Sequence, residues 1–214
     1  MWRSPPVTIP EVASVSQAQP ENSLTSTPDV LLRRPKRADA RRNYDKLIAA
    51  AREAFAENGA AASLEDIARR AEVGIGTLYR HFPTRQALLE AVYLEEVEAI
   101  CRSADDFAGL PPWDALVGWL QRFVGYAVTK KALAEELMAY VDKDADVFAS
   151  CRTAINDAGS ALLRRAQESG DVRPDVTFTD VGRMVGGIAV IRLADAEQIQ
   201  RILALALDGL RYRT

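Results

Sequence analysis

From residue 38 onward, apolar residues recur every three or four positions and nowhere alternate with period two, so the pattern predicts an all-α fold. A first long helix is expected over 38–58, with Tyr44, Leu47, Ile48, Ala51 and Phe55 on one face and Asn58-Gly59 as its stop. Ser63 then has the character of an N-cap, with Asp66 at the capping-box position. Leu64, Ile67, Ala68 and Ala71 line the buried face of the short helix that follows. Val73-Gly74 reads as a tight turn into a second short helix. Its buried side is expected to be Ile75, Leu78 and Phe82, leaving Gly76, Thr77, Tyr79, Arg80 and His81 outward. Pro83-Thr84 closes it and caps a helix over 84–102.

After a break at 108–112, the apolar spacing predicts helices over 113–129, 132–141, 144–169, 177–193 and 196–212. Thr177 and Asp180 form a second capping-box candidate. About nine helices are expected in all, with no internal repeat.

Composition narrows the class. The 214 residues are 48% hydrophobic and 27% charged, an ordinary globular balance, and no apolar run is long enough to span a bilayer. No apolar core follows a basic start, so no secretory signal is expected. Cys101 and Cys151 offer neither a disulfide framework nor, with a single histidine, a zinc spacing. Buried thiols and a cytoplasmic location are the expectation, with no metal and no cofactor.

Charge is unevenly placed. Residues 33–88 hold 12 Lys/Arg against 7 Asp/Glu, a balance of +5, whereas residues 89–214 hold 14 against 20, a balance of −6. A basic part can meet a polyanion while an acidic remainder stays clear of it. Residues 1–37 contain Pro5, Pro6, Pro10, Pro20, Pro28 and Pro35 among polar residues, and a disordered tail is expected there. The tail ends in Arg33, Arg34, Lys36, Arg37, Arg41 and Arg42. That cluster is either a solvated helix flank or an arm that follows phosphates or enters a minor groove.

Two short helices joined by a turn, the second exposing polar and aromatic groups, make the helix-turn-helix pattern of DNA-binding proteins. A plain helical hairpin inside an all-α core would give the same spacing. The segments A-A-A-R-E-A-F-A-E-N-G, S-L-E-D-I-A-R-R-A-E-V and G-T-L-Y-R-H-F-P-T-R-Q-A-L-L between Tyr44 and Leu89 decide between them. They resemble the N-terminal domain of TetR-family transcriptional regulators.

The resemblance implies a helix-turn-helix domain over 38–83 and a helical ligand-binding and dimerisation domain over 84–214. It makes 75–82 the recognition helix. The DNA-facing set it implies begins with Arg37 and Arg42 in the arm and Ser63 at the second helix. It continues through Gly74, Ile75, Gly76, Thr77, Tyr79, Arg80 and His81, and ends with Thr84 and Arg85. Arg80 is the best candidate for a base contact, because a guanidinium bonds guanine O6 and N7 as a pair. Tyr79, His81, Thr84 and Arg85 suit phosphates, and Arg69 and Arg70 either contact phosphate or are simply solvated.

The second half is implied to dimerise through its last two helices. Gly186-Gly187 inside an apolar helix and the apolar faces of 196–212 agree with that. A set at helical spacing, Trp119, Phe123, Tyr126, Met138, Phe148, Cys151, Ile155, Met184 and Ile188, is either ordinary core or the lining of a pocket for an apolar or aromatic effector. The expected partners are therefore a palindromic operator duplex, a second copy of the chain and a small molecule, with no membrane. No cluster of the second half has the make-up of an active site, so no enzyme is expected; a helical adaptor for an acidic protein is the remaining alternative.

Overall fold

A computed structural model describes residues 34–140, 146–191 and 195–211. The expected tail, apart from its last residues, lies outside the described residues, as does Arg33. Eight α-helices carry the described chain: α1 Ala38–Asn58, α2 Leu64–Arg70, α3 Ile75–His81, α4 Arg85–Arg102, α5 Pro112–Leu137, α6 Asp146–Glu168, α7 Phe178–Ala189 and α8 Ala196–Asp208. Among the described residues the one β-type pairing is an isolated bridge between Val172 and Arg211.

Helix boundaries follow local chemistry. The Ser63 hydroxyl accepts from the Asp66 amide at 3.0 Å, Thr84 from Ala87 at 3.1 Å, and Asp195 from Gln198 at 2.7 Å. At α7 the capping box is complete, with Asp180 returning a bond to the Thr177 amide at 3.1 Å. At α2 it is half-formed: the Asp66 carboxylate turns to Arg69 and Arg70.

One expected break is absent. Two helices over 113–129 and 132–141 are a single helix α5, because the polar stretch between them holds no glycine or proline to stop it. The expected end at Val141 lies outside the described residues.

Helices α1, α2 and α3 form a compact trio around Tyr44, Leu47, Ala51, Phe55, Ile67, Leu78 and Phe82, all buried. Helix α4 packs on α1 from that trio and on α5 and α6 of the remainder, so it belongs to both cores. Leu88, Leu89, Val92 and Val97 are fully buried along it. Helix α7 crosses α6 at Gly159, where an added Cβ would stand 2.1 Å from the Phe178 ring. That contact requires glycine and seats Phe178 in the core, 5.6 Å from Trp119.

Candidate nucleic-acid interface

The turn between α2 and α3 is built differently from its expected form. The left-handed residue is Glu72, at φ 54°, whereas Gly74 has φ −62° and ψ 140° and serves as the N-cap of α3. A Cβ placed on Gly74 or on Gly76 would meet nothing within 4 Å. Neither backbone conformation nor packing within this chain therefore demands a glycine at either position. What the two glycines leave is a bare, open start to α3.

Leu78 and Phe82 point inward as expected. Ile75 does not: it is 39% exposed, because it stands in the first turn of α3 beyond the reach of α1 and α2. Its assignment to the buried side is corrected, and it joins the exposed surface. Tyr79, Gly76 and Arg80 are exposed, and Thr77 is half-buried. His81 is half-buried against the Tyr44 ring, edge to face at 6.3 Å, and beside Phe82. Burial pushes the Tyr44 phenol well above its usual range, so it stays neutral.

The arginines and lysines around this trio divide into two groups. Lys36, Arg37, Arg41 and Arg80 are exposed and, among the described residues, have no carboxylate partner. The others are engaged within the chain. Arg42 meets Asp39 in an exposed pair, Lys46 meets Glu72 at 3.4 Å, and Arg52 pairs with Glu96. Arg69 pairs with Asp66, and Arg70 with Asp66 and Glu57, each at 2.7 Å. Exposed pairs of this kind are worth little and exchange readily for other anions.

Two basic residues depart from expectation. Arg85, expected on a phosphate, has its guanidinium engaged within the chain. It donates to the Ala62 carbonyl and, at 3.1 Å, to that of Gly59, lies 5.0 Å over the Phe55 ring, and stands 3.9 Å from Glu136 at the end of α5. Its first-turn position on α4 aims it back across the end of α1. Arg34 likewise is not a loose arm residue: it grips Glu95 bidentately at 2.9 and 2.6 Å and Glu98 at 2.9 Å, tying the chain before α1 to α4. Neither contact has a sequence signal, since the partners lie 23 or more positions away.

The apolar set proposed as a pocket is mainly core. Trp119 is fully buried, stacked on Phe123 at 5.6 Å and donating its indole N–H to the Ile100 carbonyl at 3.0 Å. Tyr126, Phe148, Cys151, Ile155 and Ile188 are buried and Met184 is partly so. Met138 is 45% exposed, because α5 ends beside it, and is no lining residue. Cys101 and Cys151 are buried thiols not joined to each other.

Two surface grooves flank this core instead. One, of about 430 Å³, lies between α5, α6 and α7 and has Phe123, Ile155 and Phe178 among its walls together with Arg152 and Arg183. The other, of about 730 Å³, runs between α4 and α5 past Glu96, Ser103, Asp106 and Arg122. Among the described residues, no helix is long and apolar enough to cross a membrane and no cluster suits a metal ion.

A capped helix, a turn and a short helix with a bare, exposed outer face, carried on a buried trio, define a helix-turn-helix DNA-binding protein with a helical domain behind it. Comparison with known proteins agrees over both parts. Residues 47–92 match the family model "Bacterial regulatory proteins, tetR family", and residues 111–212 match "Transcriptional regulator SbtR-like, C-terminal domain".

The chain is 30% identical to the HTH-type transcriptional regulator UidR of Escherichia coli strain K12 over 180 residues, 81% of this chain and 91% of that one. The crystal structure of the TetR transcriptional regulator SCO0520 from Streptomyces coelicolor is similar at 43% identity with a TM-score of 0.71, over 80% of this chain and 99% of that one. A TetR transcription regulatory protein from Mycobacterium vanbaalenii is similar at 32% identity with a TM-score of 0.69, over 83% and 100%.

The chain belongs to the TetR family. It is a DNA-binding transcriptional regulator and not an enzyme, and regulators of this family bind DNA operators and act as dimers.

Proposed function

We propose that this chain is an effector-responsive repressor that reads a palindromic operator through α3, in the cytoplasm. The observation that carries the reading is the outer face of α3: two glycines that the chain's own packing does not need, followed by exposed Tyr79 and Arg80 with no acid paired to Arg80 among the described residues. A bare helix start lets the backbone approach a duplex closely, and Arg80 is then free to bond a guanine edge. Thr77, His81, Ser63 and Thr84 stand beside it for phosphates; the last two keep a hydroxyl proton to donate while capping their helices. Arg37 and Arg42 supply the flanking charge. Residues 38–83 form the reading unit and residues 84–214 the sensing and dimerising unit.

The dimer is proposed to form through α7 and α8 from each subunit. Leu205 of α8 is 74% exposed, and Val190 and Ile191 at the end of α7 are exposed as well. A Cβ on Gly186 or Gly187 would meet nothing, so a second copy has room to come close. Two recognition helices held about 34–36 Å apart then enter successive major grooves. A small molecule with an apolar or aromatic body releases the DNA by binding better to a conformation with the wrong spacing, and α4, packed into both cores, carries the displacement. Fluorescence anisotropy tests the reading. Inverted repeats from the gene's own flanking DNA should bind far more tightly than random duplex at physiological salt, and equal affinities would overturn it.

A further inference from the structure

Helices α5, α6 and α7 meet around an open groove whose chemistry is divided. Its apolar side is formed by Phe123 from α5, Ile155 from α6 and Phe178 from α7. All three are buried side chains whose edges reach the groove, and Gly182 widens it by withholding a side chain. Its polar side carries two guanidinium groups, Arg152 from α6 and Arg183 from α7. The two helices are bridged there by the Thr179 hydroxyl, which donates to the Asn156 amide oxygen at 3.2 Å.

Charge makes this arrangement notable. The half of the chain that holds the groove has a balance of −6. Most of its other described arginines have an engagement: Arg102, Arg122, Arg173 and Arg201 pair with carboxylates, Arg165 bonds a carbonyl, and Arg211 lies over Trp113. Arg152 and Arg183, among the described residues, have no carboxylate partner. The acid one turn before Arg183, Asp180, hydrogen-bonds the Thr177 amide and hydroxyl and feels the Arg183 charge without forming an ion pair with it. Two like charges from adjacent helices on one small groove repel each other, and an anion between them removes that cost.

We propose that this groove is the effector site and that it takes an amphiphilic organic anion: an apolar or aromatic body against Phe123, Ile155 and Phe178, with one acidic group held by Arg152 and Arg183. The proposal rests on the reading of the chain as an effector-responsive regulator. It also gives that reading a route. Thr179, Gly182 and Arg183 share a face of α7 with Gly186 and Val190, so a ligand there sits beside the proposed dimer contact and bears on how two copies are spaced. A volume of about 430 Å³ suits a molecule of two or three rings.

A matched pair of fluorescent probes tests the site on the full chain. 1-Anilinonaphthalene-8-sulfonate carries the required anion, and N-phenyl-1-naphthylamine has the same body without it. The expected result is one sulfonate bound per chain, with the neutral probe at least tenfold weaker. In the R152Q/R183Q double variant that preference disappears, while thermal unfolding is unchanged because both side chains are exposed. Gly182→Leu fills the groove and weakens both probes tenfold or more.

Equal binding of the two probes to the parent protein, or undiminished sulfonate binding by the double variant or by Gly182→Leu, overturns the proposal. Operator anisotropy on the same samples separates it from the underlying reading. Arginine-dependent binding with no change in operator affinity leaves the anion site standing and removes its regulatory role. Operator release by the neutral probe, indifferent to both arginines, keeps effector response and overturns the anion site.

Discussion

The trio α1–α3 and the bundle α5–α8 solve opposite problems with the same kind of element. The trio uses two seven-residue helices, too short to be stable alone, and holds them by packing α2 on α1 and α3 on α2, with Ile67 and Leu78 completely buried. Its proposed DNA-reading surface is what it leaves uncovered: two glycines, a tyrosine and an arginine. The bundle is made of longer helices and buries its large side chains, Trp119, Phe123 and Phe148 among them. The surfaces proposed for its function are a groove at the edge of that packing and the outward apolar side of α7 and α8. Reading DNA needs a rigid frame with bare ends, whereas sensing and dimerising need surfaces the monomer leaves unfinished.

Four measurements press on that contrast, beginning with the largest effect. Leu205→Glu places a charge in the proposed dimer face while leaving the monomer core untouched. Sedimentation should then show the 23.5 kDa chain alone. Operator affinity should fall by roughly two orders of magnitude or more as the second recognition helix is lost. A variant that stays dimeric would move the interface elsewhere.

Arg80 and Arg85 separate reading from framing. Arg80→Ala should cost about 1–3 kcal/mol of operator binding and relax preference at one base position, with stability unchanged. Arg85→Ala should do the reverse. Its guanidinium closes the end of α1 through the Gly59 and Ala62 carbonyls, so the melting temperature drops while the salt dependence of DNA binding keeps its slope. A flattened slope for Arg85→Ala would return that residue to the phosphate-binding set.

Gly76→Ala gives effects of opposite sign. Because nothing in the chain occupies the space and the residue is helical, alanine should stabilise the fold by about 0.5–1 kcal/mol. The same methyl group should weaken operator binding, as read by anisotropy. Stabilisation with unchanged DNA affinity would show that the bare helix start has no role in close approach.

The smallest effect is a pH dependence in α7. The Thr177 hydroxyl and amide hold the Asp180 carboxyl below its usual range. A folded value depressed below the unfolded one contributes stability above about pH 4, the ordinary aspartate range, and that contribution fades as pH falls through the folded value. Asp180→Asn should remove this part of the acid-side change in melting temperature, and an unaltered acid profile would show that the cap is not coupled to stability.

What the sequence by itself determined is the helical periodicity, the caps at Ser63, Thr84 and Thr177, the inward placement of Leu78 and Phe82, and the family. All of these are local: each depends on residues within one or two turns of one another, or on a contiguous string. The tertiary structure decided where long-range partners stand. Arg85 looked like a phosphate ligand by position on α4, yet its guanidinium bonds carbonyls 23 and 26 residues earlier. Trp119, Phe123 and Phe148 had the spacing of either core or pocket, and only packing against α4, α6 and α7 made them core. The turn glycine was legible as a glycine, but that Glu72 takes the left-handed conformation and Gly74 stays open was visible only once α3 was placed against α2. Arg152 and Arg183 lie 31 positions apart and carry no motif; two helices had to cross at Gly159 before their charges shared a groove.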